Sequence, residues 1–427
     1  MEMNIPKIEL PRIVIIGCGF AGLKLAKTVK DQKFQVVLLD RNNYHTFQPL
    51  MYQVASSGLE PDSIVYPIRK IFKGKKHFHF RMAEVLSINE GDNQVHTTIG
   101  SIRYDYLVVA NGAVSNFFGM TNIEKHAFTM KSLVDSLDLR SIILQNFEKA
   151  LTTSRLEERE SYMNFVIVGA GATGVELAGA LAELKKHVLP KDYPDLDIRL
   201  MQIHIIEASG KVLANMSEKA SSKSLKFLKN LGINVWLDTF VKDYDGRIVL
   251  TSKRDFETKT LIWSAGVMGA SIEGIECRLT KGNRIVVDAV NKVKGSQNIF
   301  AIGDVASIDT EQDGRGHAML ASVAGQQGYH LGKNLNALGT QEMTPFKYKD
   351  RGTMATIGRF RAVVDLSFVK FGGIIAWFVW MFLHLMLLID FRNRLIIFAN
   401  WSWSFFNYDR GIRLIVREVK RAIDKKE

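Results

Sequence analysis

A chain of 427 residues exceeds one ordinary core, so two or three domains are expected, and 47% hydrophobic against 23% charged residues excludes a disordered chain. Two cysteines, Cys18 and Cys277, exclude a disulfide framework, a Cys-rich redox dithiol and a cysteine-held cluster, and point to a reducing compartment. The net charge of +12 suits an anionic cofactor or lipid surface, and without a binding motif it does not make nucleic acid an expected partner.

The N-terminus opens on a strand, not a signal peptide: its apolar run, 13–16, is strand-sized. Arg12–Ile16 is β-branched, Gly17-Cys18-Gly19-Phe20-Ala21-Gly22 follows, a helical stretch runs to Lys30, and 34–39 returns as a strand that ends in Asp40. Gly17 permits the tight turn, Gly19 lets backbone approach a pyrophosphate, and Gly22 allows close helix–strand packing. The helix N-terminus then offers free N–H groups and partial positive charge to phosphates. The basic run 70–76 reads as a solvated loop. His77 and His79 alternate as in a strand, with no Cys or acid at metal-ligand spacing, so no metal is expected.

The pattern recurs about 150 residues on. Asn164–Val168 is the strand, Gly169-Ala170-Gly171-Ala172-Thr173-Gly174 the turn, 175–189 the helix and 203–206 the returning strand, ending in Glu207. A carboxylate at that end accepts hydrogen bonds from ribose hydroxyls and repels a 2′-phosphate, so Glu207 favours NADH over NADPH; an ordinary exposed acid at a strand end is the alternative. Glu176, in the first turn of the second helix, reads either as an acid suited to the helix dipole or as a redox-site acid.

Later, Asn298-Ile299-Phe300-Ala301-Ile302-Gly303-Asp304 is a short strand ending in Gly-Asp. Beside two dinucleotide units it resembles the late flavin motif of two-dinucleotide flavoproteins, whose Asp bonds the ribityl chain. Tyr106-Leu107-Val108-Val109-Ala110-Asn111-Gly112 and Leu261-Ile262-Trp263-Ser264-Ala265-Gly266 resemble the crossovers between domains in that superfamily, with Asn111 in place of the usual Thr. Past Gly352 the character changes. Residues 371–389 hold no Asp, Glu, Lys or Arg, and a helix there would be roughly 28 Å long, close to a bilayer core. His384 inside it reads as a packed histidine. The segment 391–427 carries nine Lys/Arg against four Asp/Glu, with Trp401, Trp403, Phe405 and Phe406, a mixture suited to a membrane surface.

Asp40-Arg41-Asn42-Asn43-Tyr44-His45-Thr46-Phe47-Gln48-Pro49-Leu50-Met51-Tyr52-Gln53-Val54-Ala55 closely resembles the flavin-side segment of type II NADH dehydrogenases, single-chain NADH:quinone oxidoreductases that do not pump protons. Gly171-Ala172-Thr173-Gly174-Val175-Glu176-Leu177-Ala178-Gly179 and the tail segments Asp390-Phe391-Arg392-Asn393-Arg394 and Tyr408-Asp409-Arg410-Gly411 are similar to the same family, and the resemblance covers nearly the whole chain. It implies FAD held by Gly17, Gly19, Phe20, Ala21, Gly22, Asp40, Arg41, Gln48, Pro49, Ala110, Gly112, Gly303 and Asp304. It implies NADH held by Gly169, Gly171, Thr173, Gly174, Glu207, Ala265 and Gly266. Hydride then passes from NADH to flavin N5 and electrons pass to a membrane quinone, with Glu176 near the reacting rings as a proton relay. The family's quinone-side helix reads Ala-Gln-x-Ala-x-x-Gln-Gly. Here it is Ala321-Ser322-Val323-Ala324-Gly325-Gln326-Gln327-Gly328, with Ser322 for the first Gln. Ser322, Ala324, Gln326 and Gln327 are the expected quinone contacts, and tight helix packing by the small residues is the alternative.

The expected fold is α/β: two Rossmann-like dinucleotide domains and a C-terminal membrane-associated module. The expected boundaries are 1–118 and 281–345 for the FAD domain, 119–280 for the NADH domain and 346–427 for the module. The expected partners are a quinone and a lipid bilayer surface, with a homodimer left open. The expected place is the cytoplasmic face of the cell membrane, bound there without a spanning helix. Two other functions remain open: an NADH-oxidising flavoprotein with a dye, protein or oxygen as acceptor, and a redox sensor that holds NADH and FAD with little turnover.

Overall fold

The computed structural model describes residues 1–275, 278–308, 316–407 and 412–420, without the side chains of 404–406. Cys277, the segment Tyr408-Asp409-Arg410-Gly411 and the side chains of Phe405 and Phe406 lie outside the described residues. The chain divides into two compact units. Met1–Thr46, Val65–Val114 and Val267–Asp350 form the first; Phe47–Ile64, Ser115–Gly266 and Arg351–Glu427 form the second.

The first unit is built on five parallel strands in the order Ile299–Ala301, Tyr106–Val109, Arg12–Ile16, Gln35–Asp40, Phe78–Met82. Ile16 lies between Leu39 and Val109. Ile13, Val14, Ile15 and Val36 through Leu39 are fully buried. Strands covered on both faces need continuous apolar runs, and these strands have them. The strand Ile299–Ala301 closes the same sheet from far along the chain, which is how Gly303 and Asp304 come beside the first glycine turn. The helices Phe20–Thr28 and Ala321–Asn336 pack in backbone contact. A Cβ on Gly328 would stand 2.2 Å from the Ala21 carbonyl oxygen, and one on Gly332 would stand 2.7 Å from Thr28 Cβ. The basic run 70–76 departs from the expected solvated loop. It begins inside the short helix Ile68–Ile71, and Lys75 Nζ donates to Ala26 O at 2.8 Å and Val29 O at 3.0 Å. A lysine there satisfies carbonyls that the helix Phe20–Thr28 leaves open at its C-terminal end.

In the second unit four parallel strands run in the order Asn234–Trp236, Gln202–Ile206, Asn164–Val168, Thr260–Trp263. The helix Ala172–His187 follows the second glycine turn. It also meets a C-terminal antiparallel sheet, Thr353–Thr356, Ala362–Asp365 and Lys370–Gly372. That contact requires glycine: a Cβ on Gly179 would lie 2.8 Å from Gly358 N.

The apolar segment 371–389 is not one continuous helix. Its start completes the strand Lys370–Gly372, Gly373 turns the chain at φ +105°, and the helix is Ile374–Leu387. Fourteen residues rise about 21 Å, short of the roughly 30 Å hydrocarbon core. The next helix, Phe391–Asn407, carries Arg392 and Arg394 in its first turn. No helix of the described residues is long and apolar enough to cross a membrane. Arg394, within the basic segment expected to suit a membrane surface, donates to Leu388 O at 2.8 Å and Met386 O at 2.9 Å, satisfying the end of the preceding helix.

Candidate active site

The two glycine turns are near-identical in geometry. Gly17 has φ +96° and Gly169 has φ +100°; a Cβ would stand 2.5 Å from Ala110 O at the first and 2.6 Å from Ser264 O at the second. Gly22 and Gly174 lie under the turn, where a Cβ would come within 1.9 Å of Gly17 O and 2.0 Å of Gly169 O. At Gly19 and Gly171 a Cβ would meet nothing within 4 Å. Two of the three glycines thus serve the fold, and the third leaves open space over a helix N-terminus, the cleared approach that a pyrophosphate requires. These residues fit a dinucleotide in each unit. Phe20 and Ala21 open the first helix and Thr173 lies exposed on the first turn of the second.

Each strand-end acid is clamped to its own turn. Cys18 N–H donates to Asp40 Oδ2 at 2.6 Å and Asn42 N–H to Oδ1 at 2.7 Å. Burial raises the Asp40 pKa, and the two amides pull it back. Ala170 N–H donates to Glu207 Oε2 at 2.7 Å and Ser209 N–H to Oε1 at 2.8 Å. Arg41 is exposed at the end of its strand. Gln48 and Pro49 open a 3₁₀ turn in the second unit, Gln48 exposed. Gly112, at φ +80°, has open space around its Cβ position. Ala110 is buried behind Gly17, while Ala265 and Gly266 follow the strand Thr260–Trp263.

The helix Ala321–Asn336 meets the first cradle through Gln327, whose Oε1 accepts from Gly303 N–H at 2.7 Å. Gln326 is held by Lys349, donating to its carbonyl at 2.9 Å and accepting from its N–H at 3.0 Å. Ser322 Oγ lies 3.1 Å from the Tyr348 hydroxyl. Ala324 is buried, 3.5 Å from where a Gly303 Cβ would sit. The helix packs against Gly303 through Ala324 and Gln327, so a bulky side chain at Ala324 would displace Gly303 and would not report on an acceptor alone.

In the second unit Glu176 is 8% exposed and lines a pocket of about 120 Å³ with Tyr52, Thr356, Trp380 and Trp401 among its walls. Thr356 N–H donates to its Oε1 at 3.4 Å. The Trp380 indole N–H faces the carboxylate outside full hydrogen-bonding geometry. Burial pushes the Glu176 pKa up to about 8, against the opposing pull of Thr356 and Trp380. Burial therefore favours the neutral acid near pH 7. Trp380 is fixed between Trp401, at 5.8 Å between ring centroids, and His384, stacked at 4.2 Å. His384 is packed as expected. Its Nδ1 lies 2.8 Å from Trp380 O, and burial lowers its pKa to about 4. Trp401 Nε1–H donates to Gln53 Oε1 at 2.9 Å, so it braces this pocket.

Residues 11–328 match the model of the pyridine nucleotide-disulphide oxidoreductase family, and residues 351–407 match the NDH2 C-terminal domain. The chain is 33% identical over 418 residues to the type II NADH:quinone oxidoreductase Ndh of Mycobacterium tuberculosis, covering 94% of this chain and 89% of that protein. The chain belongs to the type II NADH:quinone oxidoreductase family. A second relative in that organism, the type II NADH:quinone oxidoreductase NdhA, is 31% identical over 96% of this chain and 90% of its own length. The fold is that of NDH2 from Plasmodium falciparum, solved in complex with NADH, at TM-score 0.87 and 21% identity, covering 95% of this chain and all of that one.

In this member of the type II NADH:quinone oxidoreductase family, the first match spans both glycine cradles. The second supplies Thr356, Trp380 and Trp401 around Glu176. Sequence reading missed three residues beside these sites. His45, buried, sets Nδ1 2.7 Å from Cys18 O and lies edge-on to Phe20; burial lowers its pKa to about 4. Arg284 is 9% exposed, and burial lowers its pKa while the charge of Asp304 raises it. Glu183 stands on the same helix as Glu176. Only His45 left a signal, its place inside the long family match.

Proposed function

We propose that this chain is an FAD-dependent NADH:quinone oxidoreductase, and that Glu176 supplies a proton to the acceptor. The observation that carries the second part is a buried carboxyl group in a tryptophan-walled pocket, where burial pushes its pKa up. FAD would be held by Gly17, Gly19, Gly22, Asp40, Gly303 and Asp304, and NADH by Gly169, Gly171, Gly174 and Glu207. When bound, FAD supplies the two-electron redox centre that accepts hydride from NADH and yields electrons to a quinone. The chain's own residues do the rest. Glycine turns clear room for phosphates, strand-end acids hold the turns and select the ribose, and Glu176 stores a proton beside the acceptor. Steady-state NADH oxidation by purified holoenzyme under anaerobic conditions tests this. Turnover should depend on added quinone. Equal rates with a one-electron dye and none with quinone would replace the acceptor, and no turnover with either would favour a sensor.

Glu207 is the coenzyme selector in this reading. Glu207→Gln is expected to narrow the ratio of kcat/KM for NADH over NADPH by about tenfold, since removing the charge relieves about 1.4 kcal/mol of repulsion toward a 2′-phosphate. A wild-type enzyme that uses both coenzymes equally well would end this assignment.

The C-terminal helices would hold the protein on a bilayer from one side, at the cytoplasmic face. Ile374, Ile375, Phe378 and Phe382 are 50–68% exposed along one face of the first, as are Phe391, Leu395 and Phe398 at 52–69% on the second. Apolar stripes of this kind suit the acyl boundary, and the basic tail suits anionic headgroups. Sedimentation with anionic vesicles should capture the protein, and raising salt from about 0.1 M to about 1 M should weaken capture without abolishing it. Binding that ignores both lipid charge and salt would contradict the electrostatic half.

A further inference from the structure

Reduction of a quinone to its quinol takes two electrons and two protons. NADH yields two electrons and one proton as hydride. One proton per turnover must therefore enter from water, a requirement that rests on the reaction proposed above.

The helix Ala172–His187 carries Glu176, Ala180, Glu183 and His187 at successive spacings of four, three and four residues, which places all four on one face. All four line the same pocket. We propose that Glu183 and His187, joined by water in that pocket, form the path that returns a proton from solvent to Glu176 in each turnover.

Exposure falls inward along this face. His187 is half-buried at the end of the helix, the Glu183 side chain is 11% exposed, and Glu176 is 8% exposed. Seven residues rise about 10 Å, too far for one carboxyl to bond the other, so water must connect them. Ala180, the small residue in the gap, leaves the space, and the pocket's 120 Å³ is room for several waters at about 30 Å³ each. Glu183 is oriented from the opposite wall, where Arg359 N–H donates to its Oε1 at 3.1 Å and Arg361 Nη1 lies 3.9 Å away. Tyr52 also faces the pocket, and Trp380 separates His384 from it. The step balances without any further reagent. A proton taken up at His187 passes through water to the Glu183 carboxylate, and from the resulting acid through water to the Glu176 carboxylate. Glu183 and His187 end as they began.

The competing role for Glu183 is a brace for the turn at Gly358, so the test needs a readout that bracing does not move. NADH-reduced holoenzyme is mixed anaerobically with a soluble quinone, and the 450 nm absorbance is followed for wild type, Glu183→Gln, Glu183→Asp and His187→Gln. Glu183→Gln should slow the quinone-driven recovery about tenfold or more and enlarge its solvent isotope effect. Added imidazole should restore much of the rate. Glu183→Asp should fall between Gln and wild type, and His187→Gln should show a smaller defect of the same kind. Recovery at the wild-type rate in Glu183→Gln overturns the path. So does a slow rate that imidazole and isotope leave unchanged. Wild-type protein that does not recover with quinone overturns the underlying function, and that outcome is visible before any variant is compared.

Discussion

Glu176→Gln is expected to lower quinone-dependent turnover by about a hundredfold, within the range that general acid catalysis supplies, while bound FAD and its bleaching by NADH stay near wild type. The side chain of Glu176 points to Thr356 and Trp380. Glutamine keeps the size and can still accept from Thr356 N–H, so the pocket should survive. The sign of the pH dependence follows from the raised pKa. The acid is protonated at pH 7 and loses its proton as pH rises through about 8, so wild-type turnover should fall across that range and the variant's residual rate should not. Stability moves as well. Between the ordinary value of 4.5 and about 8 the folded chain retains a proton that the unfolded chain has released, so wild-type stability declines as pH rises through that window. The glutamine variant has no such loss. Its Tm relative to wild type should therefore climb with pH and level off above about 8. Thermal scans at several pH values check this, and a Tm difference independent of pH would return Glu176 to an ordinary helix-end acid.

Gly22→Ala and Gly19→Ala should differ sharply although they lie three residues apart. A Cβ on Gly22 would stand 1.9 Å from Gly17 O, which is backbone and cannot swing away, so the helix must shift from the strand. Overpacking of that kind typically costs about 1–3 kcal/mol or more, and here it distorts the turn itself. The expected result is protein with a lowered Tm and little bound FAD. At Gly19 a Cβ meets nothing within 4 Å of protein. Gly19→Ala should fold with a near wild-type apoprotein Tm but bind FAD about tenfold to a hundredfold more weakly, because the methyl occupies the pyrophosphate's approach. Flavin content by absorbance, titration of apoprotein with FAD and apoprotein Tm separate the two. Loss of stability in Gly19→Ala equal to that in Gly22→Ala would mean that this turn serves packing only.

The glycine cradles were legible in the sequence because their requirements are local. A positive φ at Gly17 and Gly169 and a clash at Gly22 and Gly174 are settled within a few residues of the strand they follow. Asp40 and Glu207 were legible as strand-end acids, but not as clamps on the amides of Cys18 and Ala170, which depends on how each turn is presented. Glu176 was legible as a candidate, yet its raised pKa comes from burial in a pocket whose walls, Thr356, Trp380 and Trp401, lie far along the chain. Composition misled where long side chains found partners in the protein. Lys75 and Arg394 read as solvated or lipid-facing charge, and each satisfies the carbonyls at a helix end. Gln326 and Gln327, expected as acceptor contacts from the family resemblance, also hold the backbone of Lys349 and Gly303 through their amides, a tertiary role the sequence did not show. The break at Gly373, which shortens an apolar run that hydropathy alone extends, comes from the strand Lys370–Gly372 pairing with Ala362–Asp365.

The most direct test of electron transfer from NADH to a quinone is the anaerobic double-mixing experiment on wild-type holoenzyme. NADH is added first in a single equivalent, then a soluble quinone, with absorbance followed at 450 nm and quinol measured in the product. The 450 nm band should bleach on NADH, return on quinone at a rate no slower than steady-state turnover, and leave one quinol per NADH consumed. Bleaching by NADH with no return on quinone, or a return without quinol, would contradict it.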